Sequence, residues 1–306
     1  MDNITQAAPY DLDYNVIRDD LMSVLLATTN KIEREWPPRY NRVDSAREIV
    51  LVTVRLAINT FGTIAYLCAD TPDDFRRDRI FCLSVPPLSR TILESVLTIM
   101  FLLEDLPSRS EWFWKTGHRE MSEALKRYEK HYGNNPQWRR VIARLGGYVR
   151  NPPPFLRLTN QEVADPSKKI PRWPNPGRMA GYKKNNQSPT ESIFWMAYLN
   201  DWYYGSLSGQ THLSAHGLLA RGHFLSPMET LVRLHGDRAE ETVRQDLKRF
   251  RDDQIFTAII MILALVSEIE LHFQFGLNER LKYLWVLIAG SSDYAKDVYD
   301  RRYSRL

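Results

Sequence analysis

Five polar residues recur at four-residue steps in one short stretch of this chain: Asn200, Tyr204, Ser208, His212 and His216. Residues four apart stack on nearly the same side of a helix. The stretch is otherwise apolar or small, so the stripe is expected to face protein. A second set lies far upstream. Arg90 and Glu94 are also four apart, inside the apolar segment LSRTILESVLTIMFLL. Arg before Glu is the weaker order for a surface pair, and Leu93, Leu97 and Phe101 alongside must face a core. A charge beside a core face is costly unless paired, so a buried or cleft-facing pair is expected, meeting the stripe. Arginine can stabilise a phosphate, histidine can move a proton near neutral pH, and Glu94 could orient Arg90. The chemistry such a set would serve is metal-independent phosphodiester cleavage. The same residues could instead form a structural polar network.

The stripe has a geometric problem. Each four-residue step drifts about 40° around an ideal helix. All five side chains can share one spot only if the helix bends, and Gly205 and Gly209 could allow that. His212 and His216 have the spacing of two metal ligands, but no HExxH glutamate or cysteine accompanies them, so no metal and no cofactor is expected. Ser208 beside His212 lacks the elbow motif and orienting acid of a nucleophile. His118 and His131 flank a charged helix that reads mainly as a solvated face.

The elements that must position these residues are helical almost throughout. Apolar residues at helical spacing predict helices over 11–36, 44–69, 87–106, 108–131, 135–147, 190–219, 239–275 and 278–289, with room for a brief extended piece at METLVRLH. The expected fold is all-α: a single helical bundle over 41–290, preceded by a helical segment at 1–40 and followed by a polar tail at 291–306. Within the bundle, 150–189 is a proline-rich basic loop or arm. It holds eight prolines, eight basic residues and two acidic ones. Its Lys168, Lys169, Arg172, Arg178, Lys183 and Lys184 are the candidate contacts to RNA or DNA, with Trp173 as a ring that could stack on a base.

Composition bounds the rest. A 306-residue chain, 43% apolar and 25% charged, suits one large soluble domain or two. The net charge is +4, and the 150–189 arm accounts for more than all of it. The polar, acidic opening is no signal peptide, and two cysteines without a CxxC pair suit a reducing cytoplasm. The longest unbroken apolar run, Ile255–Val266, falls short of the ~20 residues of a membrane span and reads as a buried helix. No membrane is therefore expected, while a homo-oligomer or a protein partner from the same operon stays open.

An Arg-x3-Glu inside an apolar helix, followed much later by Tyr-x3-Ser-x3-His, resembles the prokaryotic family called domain of unknown function 5677. The matching positions are Arg90, Glu94, Tyr204, Ser208 and His212, within a likeness spanning about residues 45–275. The resemblance implies an all-helical protein distantly like the HEPN proteins of toxin and antiviral defence systems. HEPN ribonucleases carry an arginine followed, after four to six residues, by a histidine. This chain departs from that spacing: its nearest pair, Arg127 and His131, has three residues between. An arginine and a histidine from separate helices, Arg90 and His212, could meet instead.

Overall fold

The computed structural model describes residues 14–40, 44–68, 84–182, 190–204, 207, 222, 224 and 226–306. The fold is all-α, and no strand occurs among the described residues. The principal helices are α1 (Tyr14–Arg34), α2 (Asp44–Leu67), α3 (Val85–Leu103), α4 (Leu106–Tyr132) and α5 (Arg139–Arg150). Three short ones follow: α6 (Asn160–Ala164), α7 (Pro166–Lys169) and α8 (Pro176–Ala180). Then come α9 (Glu191–Leu199), α10 (Met228–His235), α11 (Ala239–Phe273), α12 (Asn278–Ala289) and α13 (Asp293–Val298). The METLVRLH segment is helical rather than extended. Its apolar Met228, Leu231 and Val232 fit a 3.6-residue period, and Leu231 is fully buried.

The centre of the bundle is α3 laid against α2 and α11. Both faces of α3 are apolar, so nearly every residue from Ile92 to Leu102 is buried. Helix α11 runs 35 residues and is buried without a break from Ala258 to Glu270. It ends where Gln274 and then Gly276 turn left-handed (φ 57° and 82°). The Glu270 carboxylate accepts the backbone N–H groups of Phe275, Gly276 and Leu277 at 2.9–3.1 Å, which satisfies the turn into α12. Truncating a core residue such as Leu97 to Ala would cost about 2–5 kcal/mol.

One expectation about the end of the bundle changes. The segment after α12 is no detached polar tail. Helix α13 and a π-turn at Tyr299–Tyr303 fold back, and Ala295, Val298 and Tyr303 are fully buried. Its apolar residues are too few to read as a helix from periodicity, but they fall on one side. The proline-rich arm, over its described part, is also folded. Thr159 and Glu162 close a capping box at the start of α6, and Asn175 caps α8. Four side chains of α4 then hold the arm. Trp112 and Thr116 donate to the Pro171 carbonyl at 3.0 and 3.2 Å, Arg119 donates to the Ile170 carbonyl, and Lys115 reaches Glu162 at 2.9 Å. Ile170, Leu156 and Met179 are buried beneath it.

The expectation that no membrane is involved is overturned. Three helices are long and apolar enough to cross one: Ser45–Leu67 with 23 residues, Val85–Leu103 with 19, and Gly236–Phe273 with 38. Counting only the unbroken Ile255–Val266 run missed them, because a stretch of this length can hold one or two charges and still be apolar on average. In the fold these helices pack on one another, and the Ser45–Leu67 window is the least covered of the three.

Candidate functional site

Helix α3 presents Arg90 and Glu94 on the one edge of it that is not sealed. Ile92, Leu93, Val96 and Leu97 are fully buried, whereas the Arg90 side chain is 20% exposed and Glu94 41%. The arginine Nε donates to Glu94 Oε1 at 2.9 Å, so the carboxylate fixes the plane of the guanidinium. Nη2 donates to the Tyr204 hydroxyl at 2.6 Å, and the guanidinium carbon lies 4.8 Å from the Tyr204 ring centre. A planar cation is thus held at one edge by a carboxylate and flanked by an aromatic ring. Arg90 and Glu94 are neither a surface staple nor a buried pair. They sit half-sheltered at the rim of the bundle.

Tyr204 reaches Arg90 because α9 does not continue as an ideal helix. Thr190 caps α9, accepting the Ile193 N–H at 3.3 Å and donating to Glu104 at 2.7 Å. After Leu199 the chain winds into a π-turn, Asn200–Tyr204. The wider i→i+5 turn counters the drift that an α-helix gives to four-residue steps, and such turns often occur at functional sites. Of the polar stripe, Asn200 and Tyr204 are therefore located. Ser208, His212 and His216 lie outside the described residues.

The C-terminal segment forms the shelf on which this turn rests. Trp195 Nε1 donates to the Tyr303 hydroxyl at 3.0 Å, and Tyr198 donates to Asp297 at 2.8 Å. The Tyr203 and Tyr294 rings meet edge to face at 5.3 Å. Burial first, and for Tyr198 the bond to Asp297 next, pushes the phenols of Tyr198, Tyr203 and Tyr294 well above the ordinary tyrosine range. All three remain neutral at physiological pH. The Tyr203 and Tyr294 hydroxyls are buried side by side within this edge-to-face contact.

A further polar layer lies one residue from Arg90. Ser89, fully buried, meets Gln254 of α11 at 3.5 Å, and Arg251 lies one turn before Gln254 with its side chain also largely buried. The sequence reading overlooked both α11 residues. Their signal was RFRDDQ running straight into an apolar run, where the third and fourth residue spacing turns Arg251 and Gln254 to the α3 side.

The residues singled out for nucleic acid fare differently. Lys168 and Lys169 are exposed on α7, with Lys168 3.3 Å from Asp165. Arg172 is exposed and pairs with Glu123 at 3.2 Å, and Arg178 is exposed on α8. Lys183 and Lys184 lie outside the described residues. Trp173 is no stacking platform. Its ring is packed edge to face against Phe101, Trp112 and Phe113 at 5.1–5.3 Å, anchoring the arm on α3 and α4. Burial accounts for this: an indole beside three prolines gains more from an aromatic pocket than from solvent. His118 is buried with neither ring nitrogen bonded, and burial pushes its pKa down so that it stays neutral. His131 is exposed. Among the described residues no three His, Cys, Asp or Glu side chains gather as a metal would require.

No family model matches this chain, and no curated protein or solved structure matches it either.

Proposed function

We propose that the Arg90 cluster recognises a phosphate and that the protein cleaves phosphodiesters as an effector of a prokaryotic defence or stress system, acting in the cytoplasm without a metal. The observation that carries this reading is the posture of Arg90: partly exposed at the rim of the bundle, with its plane set by Glu94 and its flank against Tyr204. An arginine oriented before its ligand arrives stabilises developing phosphate charge at little reorganisation cost. His212 or His216, following Tyr204 on the same segment, supplies the general acid or base. The Tyr204–Ser208–His212 spacing matches the family resemblance that the sequence carries, and the paucity of cysteine suits the compartment.

One observation favours a second reading, a non-catalytic scaffold or sensor. Arg90 is already engaged by Glu94 and Tyr204 of its own chain, and Ser89 and Gln254 extend the polar layer beside it. The two readings part at His212. Replacing His212→Gln keeps a hydrogen-bonding tip but removes the titrating proton. Under the catalytic reading, cleavage of a mixed RNA pool and toxicity in cells disappear while the melting temperature holds. A variant that loses about 1–3 kcal/mol of stability yet cleaves normally would assign His212 to the structural network.

A further inference from the structure

A dense run of unpaired positive charge among the described residues lies on the hairpin that leads into the proline-rich arm. From Ala124 to Arg150, where α5 ends and the arm begins, the chain carries five arginines and two lysines against one carboxylate, Glu129. All seven cations are exposed, and none pairs with a carboxylate among the described residues. In the arm itself Lys168 pairs with Asp165 and Arg172 with Glu123, while Lys169 and Arg178 are exposed.

The hairpin presents this charge in an ordered array. Helix α5 turns Ile142, Leu145, Gly146 and Val149 inward, toward α4. Arg140 and Arg144, one turn apart, stand at the middle of its outward face. Arg139 and Arg150 line one edge of that face, and Val141 and Tyr148, both about half-exposed, line the other. The turn between the helices is fixed by the Tyr132 and Trp138 rings, stacked at 4.3 Å and 11°, with Tyr128 at 5.3 Å from Trp138. Tyr132, Tyr148 and Phe155 each keep a large part of the ring in solvent.

We propose that the α4–α5 hairpin is a binding face for single-stranded nucleic acid. Three features favour it. Arginine dominates, and its planar fork suits phosphate oxygens. Exposed aromatic rings sit among the arginines, as backbone-tracking, base-stacking surfaces require. The apolar face of α5 is turned to protein and its arginines occupy the centre of the outer face, whereas a helix lying on a lipid surface needs its apolar face outward. The inference is independent of the Arg90 proposal, since binding needs no turnover.

The test uses the full chain and a fluorescein-labelled single-stranded RNA of about 20 nucleotides, longer than the usual 4–16-nucleotide sites. Affinity is measured by anisotropy across salt. Replacing Arg140→Ala together with Arg144→Ala should lower affinity about tenfold or more at low salt. It should also flatten the log K against log salt slope by about 1.4, at about 0.7 per phosphate lost. Tyr148→Ala should lower affinity about tenfold and leave that slope unchanged. Circular dichroism and melting temperature should match the parent protein, because these side chains cover no core. If the Ala pair melts early, Gln at both positions repeats the measurement with the side-chain stem retained. Unchanged affinity and slope would overturn the proposal. So would an equal loss from Lys168→Ala with Lys169→Ala, which returns the binding face to the arm. Capture by phosphatidylserine vesicles that depends on Arg140 and Arg144, with no RNA binding, would overturn it in favour of an anionic membrane surface.

Discussion

Two arginine–glutamate–tyrosine sets in this molecule use the same groups to opposite ends. Arg302 meets Glu268 with both Nε and Nη2 at 2.9 Å, and the Tyr303 hydroxyl donates to the same carboxylate at 3.0 Å. The side chains of the pair are 10% and 6% exposed. Arg90 meets Glu94 through Nε at 2.9 Å, and its tyrosine bonds the arginine rather than the carboxylate. There the exposures are 20% and 41%. The first set is closed on itself and ties three elements together: Arg302 also reaches Ser192 and Glu191 at the start of α9. Burial would lower the pKa of Arg302, but the bonds to Glu268 outweigh it and hold the cation firmly charged. Such a set can do little except hold. The second set is oriented by Glu94 and Tyr204 and lies at a partly exposed rim, where a ligand can reach it. The closed set is also what steadies the open one, because it positions α9, and α9 leads directly into the π-turn that carries Tyr204.

The largest effect should come from breaking the closed set. Arg302→Ala leaves Glu268 buried and uncompensated inside α11, and should cost about 3–5 kcal/mol. Denaturant unfolding measures it. The paired change Arg302→Met with Glu268→Leu removes both charges and should recover most of that loss. If Arg302→Ala costs less than about 1 kcal/mol, the two sets do not differ in the way described.

A third ion pair lies between the two in burial and supplies an intermediate case. Lys115 and Glu162, 13% and 16% exposed, pin α6 of the arm to α4. Lys115→Ala should cost about 1–2 kcal/mol, more than an exposed pair and less than a sealed one. This pair also predicts a pH response. Burial would raise the Glu162 pKa, but bonds from the Thr159 backbone and from Lys115 outweigh it and bring it below its ordinary 4.5. A depressed carboxylate stabilises the fold above its unfolded value and loses that contribution as pH falls through the folded one. Burial likewise opposes the Lys115 charge, yet Glu111 and Glu162 raise its pKa above 10.5. Its contribution is therefore complete below that value and lost only as pH rises through the folded value. Docking of the arm should be strongest across neutral pH and should loosen below about pH 4.5. Hydrogen exchange of residues 159–171, followed from pH 7 to pH 3 and corrected for intrinsic rates, would detect it. Protection in that segment that falls no faster than in α11 would refute the assignment.

The comparison also explains what could be read from the sequence. Arg90 and Glu94 were legible because charged residues four apart inside LSRTILESVLTIMFLL conflict with their surroundings, and only a partner resolves the conflict. Tyr204 was legible from its spacing. Glu268 has the same signature, an acid at the end of a long apolar run, but its partner comes 34 residues later. Nothing local in YDRRYSRL distinguishes Arg302 from the arginines around it. Long-range pairing of this kind depends on how the last helices return to the bundle, and turn geometry decides that, not periodicity. The arm misled for a related reason. Its prolines broke the helical pattern, while the α4 residues that hold it, Trp112, Lys115, Thr116 and Arg119, looked like an ordinary polar face. Composition locates positive charge in the arm, but only the fold shows that Arg172 of the arm pairs with Glu123 while Arg140 and Arg144 of the hairpin stand exposed.

The smallest stability effect should be at the open set, and it is the most informative. Arg90→Ala acts at a partly exposed ion pair at the rim of the bundle, so unfolding free energy should change far less than at Arg302, by about 1 kcal/mol. Tyr204→Phe removes only the hydroxyl and should change it less. Function should respond in the reverse order of stability. If Arg90 meets a phosphate in the transition state, Arg90→Ala should reduce cleavage by about 10²–10³-fold, the usual cost of losing one preorganised donor. Arg90→Lys, which keeps charge but not the planar fork, should restore little of it. Tyr204→Phe should fall between, because Glu94 still sets the guanidinium plane when the hydroxyl is gone. Measured together, cleavage rate and unfolding free energy therefore separate the two sets: large loss of stability at Arg302, large loss of turnover at Arg90. An Arg90→Ala protein that is several kcal/mol less stable, with turnover unchanged in its folded fraction, would make the two sets alike and return Arg90 to the scaffold.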